Sequence, residues 1–373
     1  MRRKGAPPTV CLNMIVKDEA PVIERCLNNV KPLVDAWCIV DTGSTDGTQE
    51  IVRRAMGDLP GALHERPWKN FGHNRTEAIR LAAGMADYIL TVDADETLER
   101  AADFAWEGLA GDALLIEKQR GARRYRVMNL VRDGLDWEWI GAVHEALSTP
   151  RGYEAQPLDG IAIVSPREGM RARDPLTFRR DALMLEEALL EDPDNRRNVF
   201  YLAQSYRDAE EYGLALKHYR RRAAMGGWSE EVFCSLYQAA RMMRFTGEPV
   251  GACIEAYLEA HDHTPSRAEP LYEIGMHYAR AKQWGVAWLF LEQAAARGMP
   301  DDLILFVEAD IHTWRAKMEA AVAAYWHGKH GEAMALNREL LAGDALPEQH
   351  RAQVMRNLSL SEEIMGTAMR RTG

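Results

Sequence analysis

No segment of this 373-residue chain approaches the ~20 consecutive apolar residues of a membrane-spanning helix, which sets helical membrane proteins aside. The start, MRRKGAPPTV, is basic, but the apolar stretch after it is broken at Asn13 and ended by Lys17-Asp18-Glu19. That is too short for the apolar region of a secretory signal. Cysteine is scarce: Cys11, Cys26, Cys38, Cys234 and Cys253 are odd in number, widely scattered and without a C-x-x-C pair. This argues against a disulfide framework and for reduced, mostly buried thiols. Excess positive charge is missing too, since 46 Lys and Arg against 56 Asp and Glu leave a formal charge of −10. Non-specific coating of nucleic acid is therefore disfavoured. These absences together describe a chain expected to work in the cytoplasm on soluble or peripheral substrates.

What is present is enough apolar sequence, 47% of residues, for two ordinary globular units. From Thr9 to about Val164, short apolar runs alternate with amphipathic stretches, the pattern of a layered α/β domain. Val10 to Val16 reads as a first strand, Pro21 to Val30 as a helix and Ala36 to Val40 as a second strand. Thr48 to Met56 and Asn74 to Ala83 read as further helices, and Tyr88 to Val92 as a strand. After Asp174-Pro175 apolar residues recur at spacings of three and four to the end of the chain. The small pairs Leu202-Ala203, Ala239-Ala240 and Ile274-Gly275 step by 37 and then 35 residues, and a degenerate fourth unit runs from Ala321 to Leu341. This is close to the ~34-residue tetratricopeptide period, in which small residues let paired helices approach closely. The reading is a catalytic α/β half, residues 1–172, followed by a helical solenoid, residues 173–373.

Three segments carry chemistry. TVDADETLER, residues 91–100, sets Asp93, Asp95 and Glu96 within four positions just after an apolar strand. Like charges ~4 Å apart repel by a few kcal/mol at an effective dielectric of about 20. A divalent cation is the expected neutraliser, since Mg²⁺ and Mn²⁺ take few carboxylates and complete their shells with water and substrate phosphates. The plainer reading has Asp93 capping a following helix and the other two acids favouring its dipole. VDTGSTDGT, residues 40–48, reads as a tight turn in which Gly43 and Gly47 take positive φ and Ser44, Thr45 and Asp46 bond the local backbone. That leaves Asp41 unexplained; its carboxylate suits the imide N–H of a uracil ring. The third, NMIVKDEAP, residues 13–21, is a strand running into a charged loop. Basic clusters at Arg120, Arg123, Arg124 and Arg126, at Arg167 to Arg180 and at Arg220 to Arg222 read either as solvated faces paired with acids or as a track for a phosphate backbone.

Together LNMIVKDEAPVIERCL, IVDTGSTDGTQEIV, FGHNRTEAI and ADYILTVDADETL resemble, in order and spacing, family 2 glycosyltransferases of the GT-A fold. The branch in question carries a W-x-x-G-x-x-H-E segment, here Trp137 to Glu145, and C-terminal tetratricopeptide-like helices. The resemblance implies a GT-A nucleotide-diphospho-sugar transferase domain followed by an all-α TPR-like repeat domain. It implies an inverting, metal-dependent transfer of a hexose from a UDP-sugar such as UDP-glucose, with Mn²⁺ or Mg²⁺ as cofactor. Asp41 then contacts the base, with Val16 and Lys17 lining the same pocket, and Arg75 lies near the diphosphate or base. Asp95 binds the metal, and Asp93 binds it through water or touches the ribose. Glu145 is the candidate base and His144 a third metal ligand or phosphate contact. Those two roles are exchangeable, and Glu138 or Glu96 are alternative bases. Trp137 or Trp139 is a candidate apolar platform for sugar or acceptor. Saccharides or lipopolysaccharide precursors, peptide or protein side chains and hydroxylated DNA bases remain open as acceptors. The alternative from another class is an inactive nucleotide-binding module on a partner-recruiting TPR scaffold.

Overall fold

The computed structural model describes residues 7–121, 123–300 and 302–372, apart from the side chains of Arg123 and residues 368–372. The basic residues at 2–4 and the Arg123 side chain therefore lie outside the described residues. Two compact units divide at Tyr201/Leu202. The change from strand to helix does fall near residue 170, but the first helices beyond it belong to the sheet unit.

That unit runs β1 (Val10–Val16), α1 (Ile23–Val30), β2 (Ala36–Asp41), α2 (Thr48–Met56), β3 (Gly61–Glu65), α3 (Phe71–Leu81) and β4 (Tyr88–Thr91). It continues with β5 (Thr97–Arg100), β6 (Ala113–Arg120), β7 (Arg123–Arg132), β8 (Glu138–Ile140), β9 (Ala146–Ser148) and β10 (Ala155–Val164), then α4 (Met170–Arg173) and α5 (Thr177–Glu191). Eight strands form one sheet in the order β3-β2-β1-β4-β7-β6-β10-β5, and β8 and β9 pair separately. The first four are parallel, and antiparallel β7 makes the sheet mixed. Strands β1 and β2 are apolar along nearly their whole length because both of their faces are covered. Helix α1 turns Ile23, Cys26, Leu27 and Val30 onto the sheet, the 3–4 spacing of one helical stripe.

From β1 the chain crosses to β2 on one side, and β4 lies on the other. A crevice therefore opens at the carboxyl ends of these strands, where such sheets receive ligands. Asp41 ends β2, and Asp93 follows β4 by two residues. The turn holding Asp93, Asp95 and Glu96 leads into strand β5, so the helix that these acids were expected to cap does not exist.

The second unit, from Leu202, contains the rest of α6 (Arg196–Asp208), then α7 (Tyr212–Ala224), α8 (Ser229–Phe245), α9 (Val250–His263), α10 (Glu269–Arg280), α11 (Trp284–Ala295), a π-helical turn (Ile311–Arg315), α12 (Ala316–Trp326), α13 (His330–Ala342) and α14 (Glu348–Thr372). Each helix from α7 onward packs on the next. The small-residue frame has a direct cause at Gly275, where an added Cβ would lie 2.5 Å from Leu291 Cγ of the paired helix. The unit is a TPR-like run of helix pairs.

A buried ion network pins this unit. Arg267 Nη2 lies 2.7 Å from Glu269 Oε1, and Arg267 also donates to the carbonyls of Leu305 and Phe306. His312 Nε2 reaches the other Glu269 oxygen at 3.1 Å. Burial alone would raise the Glu269 pKa, but His312 and Arg267 outweigh it and hold it at about 2. A folded pKa below the unfolded one contributes stability that is full above about pH 4.5 and is lost as pH falls toward 2. The expected size is on the order of 3 kcal/mol, from about 1.4 kcal/mol per unit. Glu269→Gln strands Arg267 and is expected to cost ~3–5 kcal/mol at pH 7. In thermal unfolding from pH 7 to pH 3, the gap between wild type and variant should narrow with acid; a constant gap would remove the electrostatic explanation.

Candidate active site

The loops after β1 and β2 are knitted into one surface. The Val16 carbonyl accepts from the Thr42 N–H at 2.9 Å, Asp18 N–H donates to Ser44 Oγ, Thr45 N–H to Asp18 Oδ1, and Glu19 N–H to Thr48 Oγ1. Gly43 and Gly47 take φ of 107° and 91°, the left-handed values expected of them. Val16 is buried at the strand end and Lys17 is exposed beside it.

Asp41, only 1% exposed, is organised by this turn. Its Oδ1 accepts from the N–H groups of Gly43 and Ser44 and from Gln49 Nε2, each at 2.9 Å. Its Oδ2 is buried with no partner. Burial opposes the charge, yet the donors from Ser44, Gln49 and Gly43 hold the pKa below the usual carboxylate range. A buried anionic oxygen without a donor is costly and points to a ligand N–H.

The acidic turn is neutralised mainly from within the protein. Asp93 Oδ1 lies 2.6 Å from Arg75 Nη2, and its Oδ2 lies 4.0 Å from Lys118 Nζ. Glu96, 1% exposed, bonds Lys118 at 2.5 Å and accepts the Asp93 N–H. It anchors the turn and is too enclosed to serve as the alternative base. Burial raises the Asp93 pKa, but Arg75 and Lys118 outweigh this and hold it at about 2. Burial and Asp93 together raise that of Glu96. Lys118 escaped the sequence reading, although it continues the buried face of Leu114 and Ile116 on β6 at the two-residue strand period.

Asp95 is held differently. Its Oδ2 accepts the N–H groups of Glu168 and Gly169 at 2.8 and 3.0 Å, while the Met170 N–H bonds Glu19. An added Gly169 Cβ would meet both carboxylates, at 3.1 Å from Glu19 Oε1 and 3.4 Å from Asp95 Cγ. Asp95 Oδ1 has no protein hydrogen bond among the described residues.

Arg75 reaches this turn from α3, whose N-terminus is set by Asn70 accepting the His73 N–H. Helix and following loop touch at Gly72, where an added Cβ would lie 2.2 Å from the Gly141 carbonyl. Arg75 Nε also forms an ion pair with Glu145 Oε1 at 2.7 Å, and its guanidinium lies 5.2 Å from the Trp139 ring centre. Burial works against its charge, but Asp93 and Glu145 override it and raise its pKa. Arg75 thus joins the acidic turn to the proposed base. His144 takes a φ of 55°, and its ring stacks on Tyr201 at 4.3 Å. Arg197 donates to its carbonyl. Loss of solvation shifts the imidazole pKa below its ordinary value, against the opposing pull of Asp181 and Glu145. The stacking on Tyr201 occupies one face of the His144 ring, and among the described residues no three His, Cys, Asp or Glu side chains form a group that could hold a metal ion. Trp137 is corrected by the structure. It is 4% exposed, donates to the Arg132 carbonyl and is core; Trp139 is half-buried.

The donor set fits a hard dication held sparsely. The Asp95 Oδ1 is open, and one or two carboxylates plus substrate phosphates are the usual protein share of Mg²⁺ coordination. Asp93 is committed to Arg75, which leaves Asp95 as the residue that would hold the ion.

Residues 11–102 match the model for glycosyl transferase family 2. This stretch, about a quarter of the chain, carries the family 2 glycosyltransferase match. The match takes in Asp41, Arg75, Asp93 and Asp95 and ends before His144 and Glu145. A TPR repeat-containing protein of Synechococcus elongatus is 38% identical over 152 residues, 38% of this chain and 36% of that protein. An uncharacterized glycosyltransferase of Rickettsia felis is 36% identical over 87 residues, 23% of this chain and 29% of its own. The SPbeta prophage-derived glycosyltransferase SunS of Bacillus subtilis is 32% identical over 93 residues, 25% of this chain and 21% of its own. The chain therefore spans little more than a third, or less, of these relatives' lengths. Among solved structures, MamA aligns with 53% of this chain and 97% of its own at 16% identity and a TM-score of 0.35. Among the described residues no helix is long and apolar enough to cross a membrane.

Proposed function

We propose that the family 2 domain transfers a hexose from a UDP-sugar to an acceptor hydroxyl with inversion at the anomeric carbon. The observation that carries the donor assignment is the buried, partnerless Asp41 Oδ2 at the sheet's switch crevice. Its other oxygen is saturated, so it offers one acceptor, matching the single imide N–H of uracil or thymine. Guanine presents two adjacent donors and fits less well.

The acceptor oxygen attacks the anomeric carbon as the carbon–phosphate-oxygen bond breaks, and the hydroxyl proton passes to a carboxylate. Glu145 takes that role: it closes the 141–145 loop, is held by Arg75 and keeps 13% of its side chain exposed. Arg75 keeps Glu145 and Asp93 aligned. Mn²⁺ or Mg²⁺ on Asp95, when bound, supplies Lewis-acid stabilisation of the departing diphosphate.

The test is nucleotide release from UDP-, GDP-, TDP- and CMP-sugars with and without Mn²⁺, for wild type and Asp95→Asn. The expected result is release from a UDP-sugar that needs the metal and drops at least 100-fold in the variant. UDP binding without release, on every acceptor class tried, favours the inactive nucleotide-binding module. Metal-independent release unchanged in the variant removes the role given to Asp95.

A further inference from the structure

Between α11 and the π-helical turn, residues 302–308 run without regular structure against the first helices of two successive pairs, α8 and α10. Side chains grip their main chain. Glu230 Oε2, in the first turn of α8, accepts the N–H groups of Ile304 and Leu305 at 2.8 and 2.6 Å. Arg267 donates through Nη1 to the Leu305 carbonyl at 3.2 Å and through Nη2 to that of Phe306 at 3.1 Å. Glu269 Oε1, at the start of α10, accepts the Glu308 N–H at 3.2 Å. One side chain of the segment is gripped as well: Glu308 Oε1 accepts from Tyr237 Oη at 3.0 Å and from Arg241 Nη1 at 3.2 Å.

The holders and the held differ in burial. Arg267 and Glu269 are 1% and 0% exposed, whereas none of residues 302–310 is buried and Ile304 and Phe306 stand 81% and 54% exposed. Phe306 also takes a φ of 49°, a left-handed value that costs a bulky residue energy. A segment that buries no side chain opens locally at low free energy. The surface beneath it, by contrast, is built from the buried network that pins the unit. Its bonds read main-chain groups and one carboxylate, which a second peptide of the same shape can offer.

We propose that α8 and the start of α10 form a backbone-reading groove that residues 302–310 occupy in cis, as an exchangeable strap that holds the groove closed. The partner that displaces it is a non-helical peptide segment with an acid three positions after the residue replacing Leu305 and with glycine or asparagine in the place of Phe306. The acid meets Tyr237 and Arg241, and the small residue avoids the left-handed cost. A strap closed about nine-tenths of the time lowers the apparent affinity of such a partner about tenfold. The device lies wholly in the helical unit and does not depend on the function proposed above.

The test uses the full chain and a fluorescein-labelled peptide of residues 302–310, read by anisotropy, with hydrogen exchange of the strap amides on the same proteins. Glu308→Ala in the chain loosens the strap and leaves the groove whole. Relative to wild type, its strap amides are expected to exchange at least tenfold faster, with those of α8 and α10 unchanged, and the peptide to bind at least tenfold tighter. Adding Arg241→Ala should then cost at least fivefold in peptide affinity. Ile304→Pro removes one N–H donor to Glu230 beneath an exposed side chain. It should act as Glu308→Ala does, and it guards against loss of fold in that variant. Strap amides that exchange in wild type no faster than those of α8 make the segment a fixed part of the fold and overturn the proposal. So does a peptide that binds neither loosened variant, that binds wild type and variants alike, or that is matched by a scrambled sequence of the same composition.

Discussion

Asp41→Asn is expected to weaken UDP binding about 30- to 150-fold while leaving the fold intact. The asparagine oxygen can keep the three donors from Gly43, Ser44 and Gln49 that now converge on Oδ1. Its NH₂ group then occupies the place of the buried Oδ2, where a donor faces the imide N–H of uracil. Exchanging an ionic acceptor for an opposed donor costs ~2–3 kcal/mol, and 1.4 kcal/mol is about tenfold in affinity. The sign differs for cytosine, whose N3 is an acceptor, so the penalty for CDP should be smaller. Calorimetric titration of UDP and CDP into both proteins checks this. Equal UDP affinity within threefold would mean that Asp41 does not read the base.

Arg75→Met is the second large effect, and it is one of stability as well as activity. The guanidinium is the bonded cation of Glu145 and the nearer of two cations beside Asp93. Methionine keeps much of the volume and removes the charge. Losing one partner of a buried ion pair costs ~3–5 kcal/mol. The Asp93 side chain is 43% exposed, so water screens part of the loss, and ~2–4 kcal/mol is expected in urea unfolding. Adding Glu145→Gln removes the stranded charge, so the double variant should regain stability relative to the sum of the single changes. A coupling above ~1 kcal/mol is expected for residues in direct contact, whereas additivity within about 0.5 kcal/mol would show that the contact is energetically idle. Transfer should fall in all three variants, because Arg75 aligns the proposed base with the acidic turn.

The two experiments differ in what they examine. Asp41 is prepared by its own turn, and its test is of a ligand. Arg75 depends on residues from α3, the turn after β4 and the loop before β9, and its test is of an assembled centre.

Much of this was legible in the order of residues. The strand Val10–Val16 and the helix Thr48–Met56 stand where the apolar period placed them, because period two and period 3.6 are local properties of the backbone. The turn at 42–48 followed from its glycines and short polar side chains, which bond within a few residues of themselves. The repeat steps of 37 and 35 residues were legible for a similar reason: each helix pair meets mainly its neighbours, and Gly275 records that close approach in one missing Cβ.

The partners of the charges were not. A divalent cation was expected beside Asp93, Asp95 and Glu96 because nothing nearby in sequence neutralises them. Lys118 arrives from β6 across the sheet, Arg75 from α3, and two backbone N–H groups from the turn before α4. Likewise nothing near His144 in the sequence announces Tyr201, 57 positions on, against which its ring stacks. By itself, the sequence determined which side chains are ionic, which turns form and where strands end, since those depend on neighbours a few bonds away. Only the tertiary structure decided which charge meets which, because a Coulomb or hydrogen-bond partner is chosen by distance through space, and the sheet brings together residues that the chain keeps far apart.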